Sequence, residues 1–532
     1  MKSPQRIGFI LFQILASLLA IDHGNAKPAP NIIFFLVDDL GWRDLGCYGS
    51  TFHETPNIDR FAKQGARFTN AYAACHVCSP TRSSILTGKY PARNNMTDWI
   101  RGRRDFPFQK YLNVKTGQAL PFEEVTLAET LKSHGYVTGA VGKWHLGKAP
   151  STPDAHGFDW HIPRNWNGGA PNRTFYAPYG LEGLEEAPKN EYLTDRLTTE
   201  ALNFIQQNQH QPFFLYLAHF AVHDPIHGRP DLVEKYEAKL KTHPGQTGPP
   251  FILEGNPDEH EALTREELDK LINESGFDEY GVLPQRTVKI KQHQDNTQFA
   301  GMVEAVDQSL GRILSALDEW DLDDNTIVIF FSDNGGMASM NVGNPRRTVP
   351  ANKLDVAFST SVLPLRGAKG WLYEGGIRVP CIVKWPGKGK RGSTSDVPII
   401  STDFYPSILE MAGLPLVEEQ HRDGTSIVPV LRGGDSLARE AIYWHFPHYS
   451  NHGMQPPSGA IRIGNFKLIE YFENFNVQLF NLKTDIGEQQ NLASVMPEKA
   501  KAMRDKLRAW RIEVDAQMNS LNPNFDPFAK AR

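Results

Sequence analysis

Asn31-Ile32-Ile33-Phe34-Phe35-Leu36-Val37, followed at once by Asp38-Asp39, is the stretch whose reading decides the fold. The run is continuously apolar and rich in β-branched and aromatic side chains, the pattern of a strand buried on both faces in a parallel sheet. Thr326 to Phe331 repeats the pattern far downstream and ends in Ser332-Asp333-Asn334-Gly335-Gly336. Two adjacent carboxylates after a buried strand repel one another, and a bound cation is the simplest way to keep both ionised. A solvated loop would also tolerate Asp-Asp, but the recurrence after a second buried strand favours a site. Asp38, Asp39, Asp333 and Asn334 make an all-oxygen set, which selects a hard cation such as calcium or magnesium over zinc or copper. Open α/β sheets place their sites at the carboxyl ends of strands, where both runs put these groups.

Other segments extend the sheet. Residues 135–147 read as a helix end, a strand and a glycine-loosened turn presenting Lys143 and His145. Residues 212–217 form another strand, followed by His219 and His223. The amphipathic segment 299–320 leads into the second acidic strand as the crossover helix of a βαβ unit. Segments 380–385 and 398–413, with a helix over 403–412, complete the main domain. Between His223 and about residue 298 lies a polar insertion whose charge-rich stretches, 234–241 and 261–274, read as helical and solvated. From residue 415 the texture changes to short alternating segments at 441–446, 459–463, 466–471 and 478–481, then a terminal helix over 496–518. The expected fold is α/β, with a large mixed, mostly parallel sheet flanked by helices over 27–414. A smaller subdomain of antiparallel sheet plus helix follows over 415–532.

Residues 1–26 carry Lys2 and Arg6, an apolar run over 7–21 and the small residues Gly24-Asn25-Ala26, the plan of a secretory signal peptide. No further long apolar stretch follows, so no stable membrane span is expected. Export to a periplasm or the extracellular space is expected, or to a lysosome in a eukaryote. A net charge of -5 without a dominant basic tract argues against nucleic acid as a partner. Cys47, Cys75, Cys78 and Cys381 are too few for a disulfide scaffold in 532 residues. Cys75-His76-Val77-Cys78 has the spacing of a redox pair or half a zinc site, but no second Cys/His cluster accompanies it. Asn95, Asn172 and Asn273 head Asn-x-Ser/Thr triplets.

Cys78-Ser79-Pro80-Thr81-Arg82-Ser83-Ser84-Ile85-Leu86-Thr87-Gly88 reads as a short helix, with Ser79 as N-cap, Pro80 at the first helical position and Gly88 as a left-handed stop. Cys78 then sits where free N–H groups favour an anion, with Arg82 one turn in and able to reach back to it. This cassette closely resembles the first signature of the formylglycine-dependent sulfatases, members of the alkaline phosphatase superfamily. Residues 135–147 resemble the second signature, and 365–380 resemble the segment that supplies a substrate-contacting lysine, here Lys369. The latter segment is glycine-rich but lacks the Gly-Lys-Ser/Thr ending of a P-loop.

The resemblance implies that a separate maturation enzyme oxidises Cys78 to formylglycine (3-oxoalanine), whose hydrate is the nucleophile. It implies calcium, ahead of magnesium, bound by Asp38, Asp39, Asp333, Asn334 and the modified residue 78. Lys143, His223 and Lys369 would bind substrate, and Arg82 and His145 would complete the catalytic set. His219 reads as a packed histidine. The expected activity is hydrolysis of O-sulfate esters. Export, the stretch 98–104 with its arginines and the aromatic, histidine-rich stretch 444–452 suggest a sulfated sugar or polysaccharide, with interdomain packing as the competing reading of those two stretches. A phosphomonoester or phosphodiester hydrolase and a non-catalytic sulfated-glycan binder are the alternatives. Oligomeric state is not legible.

Overall fold

The computed structural model describes residues 29–164, 174–242, 247–255, 262–341 and 348–529; the expected signal peptide and the Asn172 triplet lie outside them. In chain order the strands are β1 (Asn31–Val37), β2 (Ala66–Tyr72), β3 (Val137–Gly142), β4 (Trp160–Ile162), β5 (Phe213–Ala218), β6 (Phe251–Glu254) and β7 (Val288–Lys291). They continue as β8 (Thr326–Ser332), β9 (Arg378–Lys384), β10 (Thr394–Ser395), β11 (Ile399–Ile400), β12 (Ala441–Phe446), β13 (Ser458–Ile463), β14 (Phe466–Tyr471) and β15 (Val477–Asn481).

β1 runs through the middle of the main sheet, whose order is β10-β2-β9-β8-β1-β5-β3-β4, with β11 also on β2. It pairs in parallel with β8 and β5, and β5 with β3. Only β9 runs against its neighbours, β8 and β2, which makes the sheet mixed. Alternate residues of β1 serve two cores, as the period of a strand requires. Ile33, Phe35 and Val37 pack towards the helices Leu193–Asn208 and Thr297–Glu319. Ile32, Phe34 and Leu36 pack towards Cys78–Thr87, Leu127–Ser133 and Phe404–Ala412. Burying each such side chain contributes about 1.5–3 kcal/mol, so the strand that carries Asp38 and Asp39 is among the most firmly held.

The C-terminal strands form a separate antiparallel sheet, β12-β13-β14-β15, covered by the helix Pro497–Glu513. Its core continues into the main domain, where Trp371, Leu372, Tyr373 and Ile377 join Trp444, Ile461, Leu468 and Trp510.

Three expectations need correction. The helix begins at Cys78 after an extended Val77, so Cys78 is its first residue, and Ser79 is not its cap. The Ser79 hydroxyl instead accepts the Ile100 N–H at 3.1 Å, a long-range bond that no local motif encodes. The insertion is more than solvated helix: besides Pro230–Thr242 and Arg265–Leu271 it carries the antiparallel β6–β7 pair, whose Phe251 packs with Tyr280, Phe358 and Met454. The terminal helix ends at Glu513, short of 518.

Candidate active site

The acidic ends of β1 and β8 lie side by side because the two strands pair in register, Val37 opposite Ser332. Asp38 continues by pairing with the chain beyond β5: its N–H donates to the Ala221 carbonyl at 3.0 Å, and its carbonyl accepts the Val222 N–H at 2.7 Å. That pairing carries His223 to the same edge. Lys143 arrives from β3, its N–H donating to the Ala218 carbonyl at 2.7 Å. Lys369 is delivered by a loop whose Lys369 N–H donates to the Gly336 carbonyl at 3.0 Å. Gly335 permits this approach, since a Cβ there would lie 2.0 Å from the Gly375 carbonyl oxygen. Asp39 and His145 both hold left-handed backbone, φ 63° and 55°, a conformation that non-glycine residues adopt where the surroundings impose it.

The side chains converge on Cys78. Lys143 Nζ lies 3.5 Å and Lys369 Nζ 3.9 Å from its Sγ. Lys143 also donates to Asp38 Oδ2 at 2.5 Å, and Lys369 to Asp39 Oδ2 at 2.7 Å. Asp38, Asp39, Cys78 and His223 bring ligand atoms within 4.8 Å of one another. Asn334 donates to Asp39 Oδ1 at 2.8 Å, which leaves its own Oδ1 unpartnered, as is Asp38 Oδ1. Asp333 is engaged on both oxygens: Oδ1 accepts the Asp39 N–H at 3.2 Å, and Oδ2 accepts Arg82 Nε at 2.9 Å with Nη2 at 2.8 Å. Arg82 is fully buried and also donates to the Lys143 carbonyl at 2.9 Å. It therefore does not reach back to Cys78 as the helical spacing suggested; its hydrogen bonds go to Asp333 and the Lys143 carbonyl.

Burial works against every charge in this site. It pushes the Asp38 carboxyl up, but Lys143, His223 and Arg82 outweigh it and hold the group below its usual range. At Asp333, burial and the Asp38 charge prevail over Arg82 and lift the carboxyl. Burial pulls both lysines down, yet Asp38 beside Lys143 and Asp39 beside Lys369 raise their ammonium groups above the ordinary value. The two histidines diverge. Burial and Lys143 push His145 well below the usual range, so it is neutral; its Nε2 donates to the Ile100 carbonyl at 2.9 Å. Burial and Lys369 push His223 down too, but Asp39, Asp224 and Asp38 outweigh them and lift it well above. His219 is a packed histidine, bonded to the Ser309 hydroxyl at 2.9 Å and resting on Phe35.

All ten residues expected from sequence thus meet at one sheet edge. The two stretches offered for sugar binding divide differently. Trp444 is buried between the sheets and donates to the Ala73 carbonyl at 2.9 Å, and Arg103 is buried against Ser450 and Met454, so both serve packing. Arg101 and Arg104 are exposed. Asp224 was not singled out from the sequence, whereas His452 fell within the 444–452 stretch offered for sugar binding. Asp224 Oδ1 lies 2.9 Å from His223 Nδ1. His452 is 4% exposed, neither of its ring nitrogens has a hydrogen-bond partner, and its segment packs on Gly370 beside Lys369. Only the fold brings it there, from the C-terminal sheet; the one signal in the sequence was the density of histidines over 445–452.

Known proteins share this arrangement. A sulfatase family model matches residues 30–414, and a second model, N-sulphoglucosamine sulphohydrolase, C-terminal, matches 368–513. A sulfatase of Formosa agariphila is 30% identical, the match covering 96% of this chain and 93% of that one. N-acetylgalactosamine-6-sulfatase of Homo sapiens is 32% identical, covering 79% of this chain and 69% of its own. The crystal structure of Ps i-CgsB superposes with a TM-score of 0.67 at 27% identity, over 91% of this chain and 92% of that one. A site of lysines and carboxylates around a cysteine, on a chain matched by the family model from before β1 to residue 414, has one family reading: this chain belongs to the sulfatases and is a sulfuric ester hydrolase.

Proposed function

We propose that this sulfatase removes an O-sulfate from a sulfated sugar or polysaccharide fragment, using Cys78 matured to formylglycine and a calcium ion held by Asp38, Asp39, Asp333, Asn334 and residue 78. The observation that carries the reading is the convergence of the Lys143 and Lys369 ammonium groups on Cys78 Sγ, 3.5 and 3.9 Å away, at the edge that also holds His223. A sulfate monoester is anionic and its alcohol leaves poorly, so catalysis needs positive charge on the sulfate oxygens and a proton for the leaving oxygen. The relatives support a sugar: one is named for N-acetylgalactosamine 6-sulfate chemistry, and Ps i-CgsB, at 28% identity, is solved in complex with k-i-k-neocarrahexaose.

The donor set fits the cation. Asp38 Oδ1 and Asn334 Oδ1 are buried oxygens without partners, and oxygen donors suit calcium. When bound, the ion would supply Lewis acidity at the sulfate, and the formylglycine hydrate would supply the nucleophilic hydroxyl. Lys143 and Lys369 Nζ bind the sulfate oxygens. Arg82 fixes Asp333 through Oδ2, and Asp333 takes the proton of the attacking hydroxyl. His223, with Lys369, delivers a proton to the leaving oxygen. His145, held neutral, accepts the proton of the remaining hydroxyl. Residues 1–26 direct export to a periplasm or the outside of the cell, and 27–414 and 415–532 are the catalytic domain and its C-terminal subdomain.

Peptide mass spectrometry across Cys78, on protein from its exporting cell, tests the reading directly. The expected result is aldehyde in place of thiol, with sulfate esters turned over faster than the matching phosphate esters. Activity should fall with a calcium chelator and return with calcium. A thiol from a cell that matures such sites would overturn the mechanism. Faster phosphate turnover would overturn the substrate class.

A further inference from the structure

Asp224 follows His223 directly and turns back on it. The His223 Nδ1 lies 2.8 Å from the Asp224 backbone carbonyl and 2.9 Å from Asp224 Oδ1. A carbonyl only accepts hydrogen bonds, so Nδ1 carries the hydrogen and donates to the Asp224 backbone carbonyl; Asp224 Oδ1 faces the same nitrogen as its ion-pair partner and takes no hydrogen bond. The ring is thereby held with its other nitrogen, Nε2, towards the reaction centre, 3.7 Å from Asp39 Oδ2. His223 and Asp224 are also the wettest groups here, with side chains 17% and 33% exposed against 0–1% for Asp38, Asp39 and Lys143.

We infer that Asp224 is the positioning residue for proton delivery: its backbone carbonyl accepts from Nδ1 and its carboxylate pairs electrostatically with the same nitrogen, and together they aim His223 Nε2 at the leaving oxygen. The inference rests on the proposed role of His223. As the sulfur–oxygen bond to the sugar breaks, its electron pair stays on the sugar oxygen, the sulfuryl group moves towards position 78, and the Nε2 proton passes to the sugar oxygen. The imidazole is left neutral with its Nδ1–H still on Asp224, and takes a proton back from water before the next turnover. Burial raises the Asp224 carboxyl, but His223 outweighs it and keeps the group ionised. His452, whose ring nitrogens have no hydrogen-bond partner, packs against Gly370 beside Lys369.

Proton delivery matters most when the leaving oxygen is basic, which separates this role from a structural one. The test uses the matured full chain with phenyl sulfate and 4-nitrophenyl sulfate, whose phenolate leaves readily, and N-acetylgalactosamine 6-sulfate as a sugar probe. Asp224→Ala should lower kcat on phenyl sulfate or the sugar probe about 10–100-fold, a part of the roughly 10²–10⁴-fold that a positioned general acid contributes. The loss on 4-nitrophenyl sulfate should be several-fold smaller, with KM little changed. Asp224→Asn, which keeps an oxygen beside Nδ1 but not the charge, should recover part of the loss. By proton NMR, the His223 Nδ1–H resonance, identified by its disappearance in His223→Ala, should move upfield in Asp224→Ala; this readout needs no turnover. If His223→Ala discriminates between the probes and Asp224→Ala does not, or the resonance stays in place, the inference is overturned and the role of His223 stands. If His223→Ala itself loses equally on all probes, the proton role of His223 is wrong.

Discussion

Arg82 shows how a single residue ties chemistry to stability. It is buried with no exposed atoms to solvate it, and its guanidinium meets Asp333 through both Nε and Nη2 while Nη1 holds the Lys143 carbonyl. The Asp333 charge, with that of Asp38, keeps it protonated against a large burial cost. Arg82→Ala should cost about 3–5 kcal/mol, because it strands a buried carboxyl and a carbonyl rather than merely deleting a contact. Arg82→Lys keeps the charge but lacks the planar guanidinium that reaches Asp333 and the Lys143 carbonyl at once, so its loss should be smaller. Urea midpoints of the two variants measure this; equal losses would mean that charge alone matters. Asp224 marks the limit of sequence at this scale. It adjoins an expected site residue, yet its role depends on the chain turning so that side chain and carbonyl face the same nitrogen.

The Lys369 loop is the element where position and electrostatics meet. Just past it, the Glu374 N–H donates to Glu488 Oε2 at 2.6 Å, and Lys467 Nζ sits 3.0 Å from Glu374 Oε1 and 2.9 Å from Glu488 Oε1. Two buried carboxylates thus share one ammonium. Arg378 and the Tyr72 hydroxyl also serve Glu374, and burial notwithstanding, Lys467, Arg378 and Arg462 hold it down at about 2. Glu488 is left to keep the proton, pushed up to about 7 by burial and by Glu374. Because its folded value exceeds the ordinary 4.5, the folded state binds more protons between those values. Its contribution is complete below about pH 4.5 and is lost as pH rises towards 7, on the order of 1–3 kcal/mol. Glu488→Gln should flatten the fall in urea midpoint between pH 5 and 7.5; an unchanged slope would assign the fall to other groups. Elements with strong local signals were legible: β1, β12 and β14 match their expected bounds, and the acidic ends of β1 and β8 marked the edge where the candidate site residues gather. β2 was not, since its part-exposed residues and the register shift between Phe68 and Ala71 break any clean alternation. Nor was the helix Leu193–Asn208, whose polar surface hides its buried stripe of Leu197, Ala201, Phe204 and Ile205. The networks around Glu488 and Ser79 join residues far apart in the chain, which no local pattern reports.

At the scale of the molecule, the site belongs to both sheets. The second family model begins at residue 368, beside Lys369, while the first runs to 414, so the two overlap on the loop that delivers that lysine. The core agrees: Trp371, Leu372, Tyr373 and Ile377 are buried against the C-terminal sheet, and Gly370 packs against His452 and Ser450. Trp444 reaches across to the Ala73 carbonyl, on the segment that leads from β2 to Cys78. A chain ending at residue 414 would expose this apolar face and strip the Lys369 loop of its cover, so it should be aggregated and without turnover, even where residue 78 is matured. Size-exclusion chromatography and circular dichroism of the shortened chain would show it. Trp444→Ala in the full chain grades the same coupling, with an expected loss of about 3–5 kcal/mol from a buried tryptophan, and with turnover falling more than the folded fraction because the Ala73 end of the Cys78 segment loses its anchor. A shortened chain that is monomeric, cooperatively folded and active would make 414 a true domain boundary and the lysine loop self-supporting.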